Sequence, residues 1–356
     1  MSRLAKVFAL NRKGLNLPRG LEIAAVLVAL GALLVALDRE AYVLTFVFAV
    51  LFAALSDPGG AFTYRAQRMV LFGVIGALLT ALGFGIGGGA WGLVVLSAFV
   101  VTLLGGLAVK YGLHRFVGGA LLNVWFLIAI AVPASYRPDG IQTVAWKQAL
   151  AWLVASAIWI ALTGILWLLR GRRKRPQWIA EIPGSTAAVK LTRPVVLFAV
   201  IRALAVAIAV GIAFGLHVPN ADWMPIATFV AIKGSLQQTT LVAEQRLAGA
   251  LLGALLAALF LLTVHDKHAL EVVIILLAVV AASIRTVNYA LYCAAIAAFV
   301  LIAMDLPHPT SFADEGRRVL FTLAGVGIGV LVMLLASVLQ RRSAKVAPRA
   351  GSARRA

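Results

Sequence analysis

Apolar residues in this chain come in long blocks, and the charged residues fall between the blocks instead of among them. A helix needs about 17–25 predominantly apolar residues to cross the hydrocarbon of a bilayer, whereas a helix on a soluble core alternates its character every three or four residues. Twelve blocks can be read between charged, proline and glycine punctuation, at 21–37, 42–55, 69–84, 91–108, 116–133, 149–169, 194–216, 223–236, 247–264, 269–284, 287–304 and 319–339. Two of them, 42–55 and 223–236, are short for a crossing segment. Of the 356 residues, 13% are charged, against roughly a quarter in a soluble domain. A water-soluble enzyme is excluded, and an all-α membrane protein with about twelve transmembrane helices is expected.

The net charge of +19 would suggest a nucleic-acid partner in a soluble chain. Here it has another cause, because Lys and Arg collect in loops that stay cytoplasmic, so no nucleic acid is expected. If the N-terminus is cytoplasmic and twelve spans are present, 26 of the 32 Lys and Arg fall inside and six outside. One missed span would swap the sides of everything after it, so the asymmetry favours an even number of spans with both ends in the cytoplasm. Met1 to Arg19 reads as a retained basic tail, since no small-residue cleavage site and soluble domain follow. The single cysteine, Cys293, lies within an apolar block and has no mate for an intrachain disulfide.

The chain also repeats itself. Gln67-Arg68 followed by Gly76-Ala-Leu-Leu-Thr-Ala-Leu82 recurs as Gln245-Arg246 followed by Gly253-Ala-Leu-Leu-Ala-Ala-Leu259, and Arg115-Phe-Val-Gly-Gly-Ala-Leu recurs as Arg285-Thr-Val-Asn-Tyr-Ala-Leu. Both arginines precede the same span number in each half. The expected organisation is a cytoplasmic tail at 1–20, a first six-helix repeat at 21–169, a basic cytoplasmic linker at 170–193, a second six-helix repeat at 194–339 and a basic tail at 340–356. Six is even, so the repeats are parallel, and parallel repeats commonly hold a pathway between them.

Arg202 with its following fourteen apolar and small residues, Pro219, Trp223-Met-Pro225, a short span, Gln245-Arg246, Gly249 and Gly253, and Arg317-Arg318 leading to Thr322 and Gly325 resemble the fusaric acid resistance and aromatic acid exporter family of bacterial inner-membrane proteins. The resemblance is close over 194–339 and fainter over 19–169, where Arg19 stands for Arg202, Tyr42 replaces the tryptophan and no proline follows. It implies a twelve-helix, two-unit transporter exporting aromatic or other organic acids, in the inner membrane. A distant similarity to plant malate channels implies anion permeation as a related possibility. Longer members insert a soluble region between the halves, which this chain lacks.

Ionisable residues within apolar blocks are the default functional candidates, because holding a charge in hydrocarbon is costly unless it faces protein or water. Arg202 is flanked by apolar residues on both sides, and must either snorkel to the interface or find a partner. Lys233, Arg246, Arg68 and Arg285 are expected on the cytoplasmic side of the bundle, where they would form an electropositive vestibule for carboxylates; the positive-inside rule alone also accounts for them. Asp57 and Glu244 are the carboxylates expected to partner these bases. Trp223 and Pro225 open the eighth span, with Trp223 readable as a headgroup anchor and Pro225 as a first-turn residue. Asn288, Tyr289, Asn123 and Trp125 offer polar and aromatic surface within spans, for a substrate or for hydrogen bonds between helices. Glu22 and Asp305 are the proton-coupling candidates, each equally readable as an interfacial cap. The Gly211/Gly215, Gly249/Gly253 and Gly325/Gly327/Gly329 series read as close helix packing.

His265-Asp-Lys-His268 is too sparse for a metal site, and neither metal nor cofactor is expected. An integral membrane transporter of organic anions is the leading reading. A passive anion channel and a membrane scaffold subunit without flux are the alternatives, and an enzyme is disfavoured by the scattered histidines and the absence of paired acids. Expected partners are the organic-anion substrate, membrane lipids, and a periplasmic adaptor or further copies of the chain.

Overall fold

The computed structural model describes residues 3–135, 143–174, 190–216, 221–232, 240–264, 266–305 and 312–346. All regular structure among them is helical: α1 (Arg3–Val7), α2 (Leu17–Ala36), α3 (Val43–Ser56), α4 (Phe62–Ile86), α5 (Trp91–Leu107), α6 (Leu113–Ser135), α7 (Ala145–Leu169), α8 (Arg193–Val210), α9 (Trp223–Ala231), α10 (Thr240–Thr263), α11 (Lys267–Ile284), α12 (Tyr289–Asp305) and α13 (Phe312–Val346). Eight of these segments are long and apolar enough to cross a membrane, and the chain is a multi-pass membrane protein. The shorter apolar helices lie at Glu40–Ser56, Tyr289–Met304 and Leu320–Leu335.

Helix starts follow local chemistry. Asn16 Oδ1 accepts from the backbone N–H of Arg19 at 3.2 Å, and Pro18 occupies the first turn of α2. Asp266 likewise caps α11 by accepting from the N–H of Ala269 at 2.8 Å. Gly112, with φ +94°, turns the chain into α6 in a conformation that a residue with a Cβ rarely adopts.

The two short apolar blocks have a common explanation. From Leu44 to Ser56 α3 is buried apart from the partly covered Val47, and α9 is buried apart from Val230. A helix wrapped by protein need not match the thickness of the bilayer, and an apolar surface on every side marks a buried helix. The block expected at 223–236 ends as a helix at Ala231, and Ile232 is extended. With nine residues α9 is roughly 13 Å long, well under the hydrocarbon thickness. The outer helices instead present leucines to the surroundings: Leu78, Leu104, Leu255, Leu276 and Leu331 are all more than half exposed.

Within the first half α4 packs on α6 and α7, α3 on α7 and α5 on α6; within the second, α10 packs on α12 and α13, α9 on α13 and α11 on α12. Between the halves, α5 packs on α8 and α11 on α2. Lipid tails are as apolar as leucine, so these contacts depend on close fit and hydrogen bonds. A Cβ on Gly249 would lie 2.5 Å from the Ala290 carbonyl, and one on Gly253 would lie 2.5 Å from that of Ala294, which brings α10 against α12. One on Gly329 would lie 2.6 Å from Ala231 Cβ, where α13 meets α9. Gly327 faces open space, so the close-packing role expected of that series holds at alternate members.

Asn123 and Trp125 serve the core. Asn123 Nδ2 donates to Thr102 Oγ1 at 3.1 Å, and Trp125 Nε1 donates to Thr80 Oγ1 at 2.8 Å. The Trp125 ring stacks on Trp152, 4.9 Å between centroids, and Phe48 bridges it to Phe299 of α12.

Candidate functional site

A cavity of about 140 Å³ lies where the two halves meet, lined from the first half by α3 and α6 and from the second by α9, α10, α12 and α13. Its walls are apolar and aromatic, with Phe52 and Phe116 on one side and Trp223, Phe229, Tyr289 and Tyr292 on the other. Among the described residues Arg246 is the one charged side chain on its lining, and Cys293 and Thr322 add a thiol and a hydroxyl. Such a chamber suits a molecule with a ring or short apolar body and one negative charge. An engineered apolar cavity of about 150 Å³ takes up benzene, so there is room for about one ring.

Of the residues expected to matter, the structure brings Arg246, Trp223 and Tyr289 together on this lining. Trp223, read as a headgroup anchor, is instead 2% exposed. Its place at the start of a short buried helix, and not at the end of a long lipid-facing one, is what removes it from the interface. Arg202 does not snorkel. It is 1% exposed, its guanidinium lies 4.1 Å above the Phe229 ring, and Arg246 is within electrostatic reach.

The other candidates lie elsewhere. Arg68 faces a groove between α4, α5 and α6. Asn288 holds the N-terminal segment, donating to the carbonyls of Val7 and Ala9 at 3.0 Å each, and accepts from the N–H of Leu291 at 2.8 Å. Lys233 lies outside the described residues, and so does the side chain of Asp305, the last residue of α12. Glu22 is engaged by Arg19 at 3.4 Å and by Arg170 at 2.7 Å. His265 is outside the described residues, and His268 meets Glu271 at 3.1 Å.

Arg285 belongs to a second cluster, at the C-terminal end of α3, where helix carbonyls lack intrahelical donors and the dipole favours cations. Arg285 Nη1 donates to the Leu55 carbonyl at 2.8 Å, and Arg19 Nη2 donates to that of Ala54 at 3.0 Å. Arg65 grips Asp57 with two nitrogens, Nε at 2.8 Å among them, and Arg19 adds a contact at 3.3 Å. Burial opposes ionisation of Asp57, but the Arg65 hydrogen bonds, the charges of Arg19 and Arg65 and the N–H of Gly59 together hold its carboxyl below the usual carboxylate range. Of the two carboxylates expected to partner the bases, Asp57 does so with Arg65 and Arg19, neither of them a pathway candidate. A basic residue in the first turn of α4 and another in the first turn of α2 were the signal, masked by the general excess of cations.

No curated protein and no solved structure compared with the chain matches it. Residues 206–332, from the second half of α8 into α13 and including the Trp223, Arg246, Tyr289 and Thr322 walls of the cavity, match the family model described as fusaric acid resistance protein-like.

Proposed function

We propose that the protein carries organic anions out of the cytoplasm across a bacterial inner membrane, through the chamber between two parallel six-helix repeats with both termini cytoplasmic. One observation carries this reading: an apolar and aromatic chamber between the halves has, among the described residues, a single cation, Arg246, on its lining. The family model matched over the same walls supports a membrane transport role. An aromatic or similarly compact carboxylic acid fits best, its carboxylate at Arg246 and its body among Trp223, Tyr289 and Tyr292.

The helix pairing supports the two-repeat organisation. Counting α2–α7 and α8–α13 as positions one to six, third packs on fifth and sixth, second on sixth and fourth on fifth in both halves. The two most extensive inter-half contacts, α5 on α8 and α2 on α11, exchange when the halves are exchanged. Arg19 reaches α3 as Arg202 reaches α9.

Among the described residues no carboxylate lines the chamber, and Glu22 is held by two arginines. Passive anion passage is therefore the second reading, separated by whether flux saturates and follows the proton gradient.

The single cysteine provides the test, since Cys293 lines the chamber. A membrane-permeant thiol reagent should modify it, a panel of aromatic carboxylates should slow that modification, and Arg246→Gln should abolish the protection while membrane abundance is unchanged. Modification indifferent to every acid in the panel, together with unchanged acid tolerance on deletion, refutes the reading. Topology is tested separately by a cysteine at 266, which should react with impermeant reagent in intact cells.

A further inference from the structure

We propose that the groove between α4, α5 and α6 is a binding site for an anionic phospholipid of the leaflet next to the Arg68 end of the bundle, with its phosphate between Arg68 and Arg115 and one acyl chain laid along α4. The groove has a volume of about 410 Å³ and is separate from the chamber between the halves. Leu71, Ile75 and Leu79 form one wall, and Val101 and Leu104 the other. Its floor is kept deep by glycines: α5 and α6 touch through Gly105 and Gly119, where a Cβ on Gly119 would sit 3.7 Å from the Gly105 backbone.

Length and charge both point to this occupant. Leu79 lies eleven helical steps beyond Arg68, roughly 16 Å of rise, which is about one leaflet of a hydrocarbon core about 30 Å thick. At the polar end Arg68 rests 5.1 Å from the Tyr64 ring, and Arg115 rests 5.0 Å from the Tyr111 ring, so both guanidiniums are placed by aromatic faces. Lys110 lies beside the same Tyr111 ring, 5.7 Å away. Among the described residues no carboxylate lines the groove. A second lipid-facing groove, of about 520 Å³ between α2, α3 and α11, is unlike it: its polar end holds Lys267 against Glu40 at 3.5 Å and His268 against Glu271 at 3.1 Å. Cations are paired with acids there, whereas Arg68 and Arg115 rest on tyrosine rings. Basic pockets between helices on the cytoplasmic side of membrane proteins take anionic headgroups in this manner.

Delipidated full-length protein in detergent, titrated with phosphatidylglycerol or with phosphatidylcholine of the same chains and read by native mass spectrometry, tests the site. Phosphatidylglycerol should be retained in preference. Arg68→Gln and Arg115→Gln should each weaken it about fivefold, the loss expected for one surface cation near an anionic lipid, while Arg68→Lys keeps most of the binding. Leu104→Trp fills the groove without changing charge and should also reduce retention, with circular dichroism and elution volume checking that each variant is folded. Equal retention of the two lipids, or phosphatidylglycerol held as well by the folded double variant, overturns the proposal. So does displacement by glycerol phosphate at equal concentration, which would make this a soluble phosphate site, or by benzoate, which would make it part of the transport route.

Discussion

Asp57→Asn neutralises the buried carboxylate shared by Arg65 and Arg19 and should be among the most damaging single substitutions in the chain. The carboxylate is 2% exposed and meets Arg65 through two nitrogens and Arg19 through one. A neutral amide keeps one acceptor and turns two N–H donors toward guanidiniums that are themselves 1% and 8% exposed. At an effective dielectric constant of about 20 a unit pair at about 4 Å is worth about 4 kcal/mol, and leaving one member of a buried ion pair alone costs about 3–5 kcal/mol. Thermal unfolding of purified protein in detergent should therefore fall by on the order of 10 °C, at about 2–4 °C per kcal/mol for a chain this large. Glu40→Gln is the matched control, because Lys267 and Glu40 are 47% and 56% exposed and screened pairs are worth about 1 kcal/mol or less. Combining Asp57→Asn with Arg65→Met should recover part of the loss, since removing both members of a buried pair is often tolerated. An Asp57→Asn protein that melts with the parent, or a double variant worse than the single, refutes the account of this cluster.

Acid should destabilise the protein through the same residue. The Asp57 carboxyl lies below its usual value in the folded state, so its contribution is complete above the unfolded pKa and fades as pH falls from about 5; the Asp57→Asn protein should show a shallower acid limb. Gly253→Leu should destabilise by about 1–3 kcal/mol through overpacking against the Ala294 backbone, while Gly327→Ala, which meets nothing within 4 Å, should leave the melting curve unchanged; equal effects of the two would sink the packing assignment. Trp223→Ala should enlarge the chamber and cost about 3–5 kcal/mol, and Cys293 modification should speed up in parallel if the ring walls the same space.

The helical class was legible because bilayer-length apolar blocks admit few other structures, and helix starts were legible where Asn16, Pro18 and Asp266 cap or open them. The ends of α9 and α13 were not: apolar content continues past Ala231, and residues beyond 339 stay helical, because hydropathy marks lipid contact and not helix length. At the site, Arg246, Trp223 and Tyr289 were legible as charge and aromaticity in an apolar setting. Their companions Phe116, Tyr292 and Thr322 were not, since which face of a helix turns toward a partner depends on the packing of six helices around one chamber. Arg68, Arg246 and Arg285 look alike in sequence, each beginning a span; only tertiary placement sends one to the groove, one to the chamber and one to the end of α3.

The segment before α2 lies across the second half. Val7 is buried, and its carbonyl accepts from Gln245 at 3.2 Å and from Asn288; the N–H of Asn11 reaches the Val287 carbonyl at 2.9 Å, Thr286 reaches that of Gly14 at 2.6 Å, and the N–H of Asn16 reaches that of Ser283 at 2.9 Å. During synthesis, residues 7–16 must therefore wait for some 240 to 280 further residues before their partners exist. This stitch between the two halves closes late, so any step that delays insertion of α10 to α12 leaves a bundle whose front edge has nothing to hold.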